Sequence, residues 1–172
     1  MFMQEKEKTL HEAVVCFLIR DKKILLAKKG GEIGKGLWNG YGGGIENRDK
    51  NEKMAAVREV EEESGGIMVL YQNLEKVADT YFKNTKEDGT TFVCHVAVFL
   101  VRKWIGVART TEEMLEPTWF DMGNIPKDQM LPADKIWLPV VLSGKKIIVN
   151  ASYGPHQGSL IGKVGIQEVN SF

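Results

Sequence analysis

The run Arg58-Glu59-Val60-Glu61-Glu62-Glu63-Ser64-Gly65 constrains this chain more than any other feature; it is reached from Gly42-Gly43-Gly44 through the polar stretch Asp49-Lys50-Asn51. Asp49 to Asn51 reads as a helix start, Met54-Ala55-Ala56-Val57 as helix body and Gly65-Gly66 as the stop. At about 100° per residue, Glu59, Glu62 and Glu63 fall within an arc of roughly 100°, whereas Glu61 points roughly 200° away from Glu59. Three carboxylates therefore share one face. Two unit charges about 4 Å apart repel by about 4 kcal/mol at an effective dielectric near 20, more than helix propensity returns. The pattern calls for positive charge among them: a hard divalent cation with oxygen ligands, Mg²⁺ or Mn²⁺, with Arg58 bracing one carboxylate.

The remaining composition excludes several function classes. Lysine plus arginine equals aspartate plus glutamate, at 23 each, so no global field recruits nucleic acid or an anionic membrane. No stable nucleic-acid complex is expected. The opening Met1 to Lys8 has no signal-peptide pattern, and the longest apolar stretch, Val93 to Val101, contains His95 and is too short to span a bilayer. A cytoplasmic protein without membrane attachment is expected. A chain of 172 residues suits one domain, 1–172, burying about 70% of its unfolded surface. Cys16 and Cys94 each lie in an apolar run and read as small buried hydrophobes. His11, His95 and His156 are scattered, without zinc spacing, and His95 reads as a strand residue.

Ala13 to Ile19 and Lys23 to Ala27 are apolar runs joined at Arg20-Asp21-Lys22, a hairpin signature. A glycine-rich connection, Gly30 to Gly36, leads to a short strand, Trp38 to Tyr41. Beyond the acidic helix, Ile67 to Leu70, Lys76 to Phe82 and Thr90 to Arg102 read as strands, the last two separated by the polar turn Asn84 to Gly89. Pro132-Ala133-Asp134 opens a second helix through Leu142, with Asp134 as its cap. Lys145 to Asn150 and Ser159 to Ile166 read as closing strands. Strands interrupted by two helices indicate an α+β chain with helices packed on the faces of a sheet.

With Gly43, Asp49, Arg58, Glu59, Glu62 and Glu63 in this order, the sequence resembles the Nudix hydrolases. Their box runs glycine, five residues, glutamate, seven residues, Arg-Glu, an aliphatic, any residue, Glu-Glu, any residue, glycine and an aliphatic. A strict count back from Arg58 puts Gly44 at the glycine and Lys50 at the first glutamate. Alignment on the double glycine instead gives Gly43 and Asp49, with one extra residue before Arg58, and this alignment is preferred because an insertion at a loop-to-helix junction is cheap. Gly66 stands in the closing aliphatic position. The resemblance implies an α/β/α sandwich with a mixed sheet and a central catalytic helix. It also implies Glu59, Glu62 and Glu63 with Gly43 around a metal, Arg58 orienting a carboxylate, and catalytic duties for Glu62, Arg58 and the loop residue Glu113.

A more extended likeness, from about Lys23 to about Tyr153, is to the animal branch of MutT-type oxidised purine nucleoside triphosphatases. Gly36-Leu37-Trp38-Asn39-Gly40-Tyr41-Gly42-Gly43, Glu112-Glu113-Met114, Trp119-Phe120, Ile125-Pro126 and Leu131 to Pro139 carry it. It implies Asn39, Asp134, Lys28 and Trp137 as substrate-binding residues. That branch has Trp-Pro-Asp-Asp where this chain has Leu131-Pro132-Ala133-Asp134, so a stacking ring and one acid are missing. The expected activity is Mg²⁺-dependent hydrolysis of a nucleoside triphosphate, with a modified or oxidised purine, to monophosphate and pyrophosphate. The alternatives are a Nudix enzyme acting on a dinucleoside polyphosphate or nucleotide sugar, and a non-catalytic nucleotide- or RNA-binding module.

Overall fold

The computed structural model describes residues 7–172, so part of the opening segment Met1 to Lys8 lies outside the described residues. Strand β1 (Glu12–Arg20) turns back into β2 (Lys23–Lys29) through Asp21 and Lys22, both at positive φ, 53° and 58°. That pair of left-handed residues is the turn whose twist matches a two-residue hairpin. Strands β3 (Trp38–Asn39) and β4 (Tyr41–Gly44) follow, broken at Gly40, and then helix α1 (Glu52–Ser64). The short β5 (Ile67–Met68) precedes the long hairpin β6 (Leu74–Thr85) and β7 (Thr91–Val101). The chain continues through β8 (Ile105–Gly106), β9 (Met114–Asp121), α2 (Asp134–Leu142), β10 (Lys146–Tyr153) and β11 (Gly165–Val169).

Nine of these strands form one mixed sheet in the order β11-β10-β6-β7-β1-β2-β3, with β4 also on β1 and β9 also on β2. The β1–β7 and β10–β6 pairs are parallel and the other pairings antiparallel. Strand β1 serves two partners on one edge. Its last residues, Leu18 to Arg20, pair with β2, while Ala13 to Cys16 pair with β4. The divergence of β2 from β4 places the glycine run of β4 beneath α1.

Period-two alternation along β1 splits the core into two layers. Val14, Cys16 and Leu18 face α1 together with Ala55, Ala56 and Val60. Phe17 and Ile19 face the other side, with Trp137, Leu138 and Val141 of α2. The α+β sandwich expected from the pattern is thus present, with one helix on each face. Two alanines on the inner stripe of α1 let the helix approach closely, and Cys16 Sγ lies 4.0 Å from the Ala56 carbonyl. Both cysteines are free and buried.

Helix α1 begins one residue later than the full Asp49–Asn51 signal suggests. Asn51 is the cap, its Oδ1 accepting from the Met54 amide at 3.0 Å, and Gly65 closes the helix at φ 66°. Asp49 does not cap it. Nor does Asp134 cap α2, where Ala133 holds the cap position with no side-chain bond. The closing strand lies further along than expected: Leu160 makes only an isolated bridge to Tyr153, and β11 starts at Gly165. Strand β9 has no counterpart in the expectations, and β5 is limited to two residues.

Candidate active site

Gly43 on β4 lies directly against Glu59 on α1. A β-carbon added at Gly43 would sit 2.6 Å from Glu59 Oε1, so the strand passes the carboxylate only because residue 43 lacks a side chain. One residue along, the Gly42 amide donates to Glu63 Oε2 at 3.0 Å. Both carboxylates are buried, at 7% and 8% exposure. Glu62 differs, since its side chain is about half exposed at the rim, and Glu61 is exposed as well. The face inferred from helical phase is therefore two buried acids and one rim acid, because β4 covers only part of the arc.

Arg58 supplies the positive charge that the acidic run demands, and it does more than brace one carboxylate. Its Nε and Nη2 donate to Asp49 at 3.0 and 2.7 Å, and Nη2 also donates to the Gly44 carbonyl at 3.0 Å. Its Nη1 donates to Glu59 at 2.9 Å and Glu62 at 3.1 Å. The Asp49 bond, against the opposing effect of burial, holds the guanidinium pKa above its usual value. Arg48 reaches the other oxygen of Glu62 at 3.0 Å while its Nε pairs with Glu46 at 2.6 Å. Lys50, where a strict count places the first glutamate, is exposed.

Glu63 makes no ion pair among the described residues. Burial first, then a close approach of the Glu113 carboxyl, raises its pKa well above the usual carboxylate range. Burial and a neighbouring carboxyl both disfavour the charged form of such a group. Glu113 enters from the bend just before β9, fixed by its carbonyl accepting from the Gly30 amide at 2.9 Å. The Thr111 hydroxyl bonds the Glu63 carbonyl at 2.8 Å, tying this segment to α1. Among the described residues, the Tyr41 hydroxyl is the one buried side-chain polar atom without a partner; burial and the nearby Glu63 charge push its pKa up to about 12. An all-oxygen donor set with uncompensated negative charge fits a hard divalent cation.

Another acidic group lies elsewhere. Ligand atoms of Glu52, Asp79 and His95 come within 4.8 Å of one another. Lys76 Nζ already stands 2.9 Å from both Glu52 and Asp79, and His95 bridges Asp79 and Glu12. Burial opposes charging of His95, but these two carboxylates outweigh it and raise its pKa. His95 is thus an ion-paired strand residue on the α1 face.

The expected substrate-binding residues separate on inspection. Asp134 is buried at 4% exposure, and its Oδ1 accepts from the Trp137 indole at 3.0 Å. Burial raises its pKa to about 6, opposed by that bond and by the charge of Lys29. Trp137 itself is 2% exposed, packed edge-on against Phe17 at 6.1 Å. Its indole donates to Asp134 from within the core. Asn39 is partly buried, with Oδ1 bonded to the Gly40 amide at 2.8 Å. Lys28 turns away to Glu116 at 2.8 Å and lies over the Trp38 ring at 5.2 Å.

Lys29, not singled out in the sequence, is the lysine of this pair whose charge lies near Asp134 and Glu63. Burial lowers its pKa, while Asp134 and Glu63 act in the opposite direction, so this ammonium lies under the influence of both acids. Alternation along β2 separates the two lysines: Ile24 and Leu26 belong to the α2 layer and Leu25 and Ala27 to the α1 layer, so Lys28 continues the first side and Lys29 the second, while the extra residue of the β2–β9 pairing lies on β9.

Residues 9–141 match the family model described as the NUDIX domain. The chain belongs to the Nudix family. It is similar to the oxidized purine nucleoside triphosphate hydrolase of Danio rerio, 32% identical over 134 residues, covering 78% of this chain and 81% of that protein. The Mus musculus protein of the same name is 30% identical over 158 residues, covering 92% and 95%. A crystal structure of a MutT protein from Bacillus halodurans superposes with a TM-score of 0.73 at 23% identity, covering 91% of this chain and 97% of that one, a likeness of fold. This Nudix hydrolase therefore carries its box residues on β4, on α1 and on the loop between them. No helix among the described residues is long and apolar enough to cross a membrane.

Proposed function

We propose that this Nudix hydrolase cleaves a nucleoside triphosphate bearing a modified or oxidised purine into monophosphate and pyrophosphate, with Mg²⁺ or Mn²⁺ bound by Glu59, Glu62, Glu63 and the Gly43 segment. The observation that carries the reading is the pair of buried carboxylates set against β4, Glu63 accepting from the Gly42 amide at 3.0 Å and Glu59 lying against Gly43, on the same helix that presents Glu62. When bound, the divalent cation would screen phosphate oxygens and lower the pKa of a coordinated water. Arg58 fixes the rotamers of Glu59 and Glu62 and ties them to Asp49. Glu113 accepts the proton of the attacking water, a role supported by its contact with Glu63 at the mouth of the site.

Asn39, Asp134 and Lys29 form the side that reads the base. A neutral Asp134 offers both a donor and an acceptor, and its raised pKa keeps that form accessible at mildly acidic pH. The relatives named as oxidized purine nucleoside triphosphate hydrolases support this assignment. Leu131 offers no stacking ring, and Ala133 is fully buried with its amide bonded to the Tyr153 hydroxyl at 2.9 Å. Base–aromatic stacking is worth roughly 1–3 kcal/mol, so discrimination here is weaker than in an enzyme with an indole at this position.

The test is the ratio of kcat/KM for 8-oxo-dGTP to that for dGTP. Asn39→Ala is expected to lower the ratio by about 1–3 kcal/mol equivalent with the metal site intact, and Leu131→Trp to raise it. An unchanged ratio in both variants places the base elsewhere.

A further inference from the structure

The α1 face of the sheet is covered by the helix only over its middle strands. Beyond the helix, Tyr81 and Lys83 of β6, Val93 of β7, Asn150 and Ser152 of β10, and Lys163 line an open groove of about 360 Å³. The register explains the gathering. Tyr81 pairs with His95 and Asn150, and Lys83 pairs with Val93 and Ser152, so alternate residues of three adjacent strands project to the same face. Asp134, Phe82 and Tyr153 belong to the opposite face or to the α2 layer, so this groove is separate from the base-reading side.

Its chemistry is specific in kind. Lys83 and Lys163 make no ion pair among the described residues, whereas Lys145, at the other end of β10, is taken by Glu168 at 2.5 Å. Tyr81 remains 39% exposed although it stacks on His95 at 4.9 Å and 21°, which fixes its ring in place. Asn150 and Ser152 add neutral donors and acceptors. The volume lies at the lower end of the range for small-molecule sites. A chain with equal numbers of acidic and basic residues has no net positive field to recruit a polymer.

We propose that this groove is a second binding site, for a phosphorylated ring compound of mononucleotide size, with Lys83 and Lys163 on the phosphate and Tyr81 against the ring. The inference stands on the groove alone and does not depend on the reaction proposed above. A rigid aromatic beside two unpaired ammonium groups matches one phosphate and one planar ring at once. Neither lysine takes part in the catalytic machinery.

The experiment is a titration of the full chain with GMP, followed by backbone amide chemical shifts, since a global readout would mix this groove with the active site. The amides of Tyr81, Val93, Asn150 and Ser152 are expected to shift saturably. Lys83→Gln with Lys163→Gln should weaken that response at least tenfold, with an unchanged melting temperature and unchanged triphosphate turnover. Tyr81→Leu should weaken the GMP response while leaving any response to inorganic phosphate alone. Shifts confined to the surroundings of Asn39 and Asp134 would overturn the proposal, as would a lysine double variant that responds like wild type. An oligothymidylate displacing GMP at far lower concentration would overturn the mononucleotide class.

Discussion

Arg58 and Asp49 form a two-pronged ion pair, at 3.0 and 2.7 Å, that joins the middle of α1 to the loop before it. The guanidinium is the hub of the acidic helix: it reaches Glu59 and Glu62 with the same group that holds Asp49. Of the two residues that the alternative alignments place at the first acid of the box, it is Asp49 that bonds Arg58, while Lys50 is exposed.

Asp49→Ala should lower the unfolding free energy by about 1–3 kcal/mol, because it leaves a largely buried guanidinium short of two charge-assisted bonds. Lys50→Glu in the same variant should restore neither stability nor turnover. Urea unfolding midpoints and initial rates check both. Rescue by Lys50→Glu would favour the strict count.

Gly43→Ala forces a methyl group to 2.6 Å from Glu59 Oε1, and the strand or the carboxylate must move. The expected cost is about 1–3 kcal/mol in stability together with a tenfold or greater loss of turnover. A wild-type rate in the Gly43→Ala enzyme would show that Glu59 is free to adjust.

The outline of α1 is legible in the sequence because its signals are local: an asparagine cap, an alanine stripe and a left-handed glycine. What the helical phase of Glu59, Glu62 and Glu63 does not contain is which of them β4 will cover. Burial of Glu59 and Glu63 depends on the pairing of Val14 with Gly43, a contact between distant parts of the chain. Strand β9 escaped notice because its residues are mostly exposed and include Pro117, which leaves little alternation to read. Strand β11 is nearly all exposed for the same reason. The side taken by Lys29 continues the alternation of Leu25 and Ala27 along β2, but which of the two sides faces α1 is settled only by the folded sheet.

The division between the two lysines can be tested directly. Lys29→Met should reduce kcat/KM at least tenfold, about 1.4 kcal/mol. Lys28→Met should change it less than about threefold, since Lys28 is engaged by Glu116 on the surface. Steady-state kinetics on one triphosphate suffice, and a reversed order would return the substrate role to Lys28.

Asp134 links the base side to stability. Its folded-state pKa of about 6 lies above the ordinary value of 3.8 because the carboxyl is buried. The folded protein thus holds this proton more tightly than the unfolded chain does. The stabilising contribution is full below the unfolded value and is lost as pH rises through about 6. Asp134→Asn should remove this dependence, gaining up to about 3 kcal/mol over wild type at pH 7–8 and nothing near pH 3.5. Unfolding free energies across this range check the sign.

Glu61 and Glu62, both outside the buried part of the helix, should separate by function. Glu61→Gln should alter stability by less than about 0.5 kcal/mol and leave turnover near wild type. Glu62→Gln should lower turnover at least 10²-fold while the fold persists. Initial rates and circular dichroism distinguish them, and equal behaviour would mean that Glu62 is only a surface partner of Arg48.

The central claim is the reaction itself, and product analysis tests it most directly. The full chain is incubated with 8-oxo-dGTP and Mg²⁺, with and without a chelator, and nucleotide and phosphate products are resolved chromatographically. The account predicts monophosphate and pyrophosphate in equal amounts, abolished by the chelator and by Glu62→Gln. Diphosphate with inorganic phosphate, or hydrolysis that persists in the chelator, would contradict it.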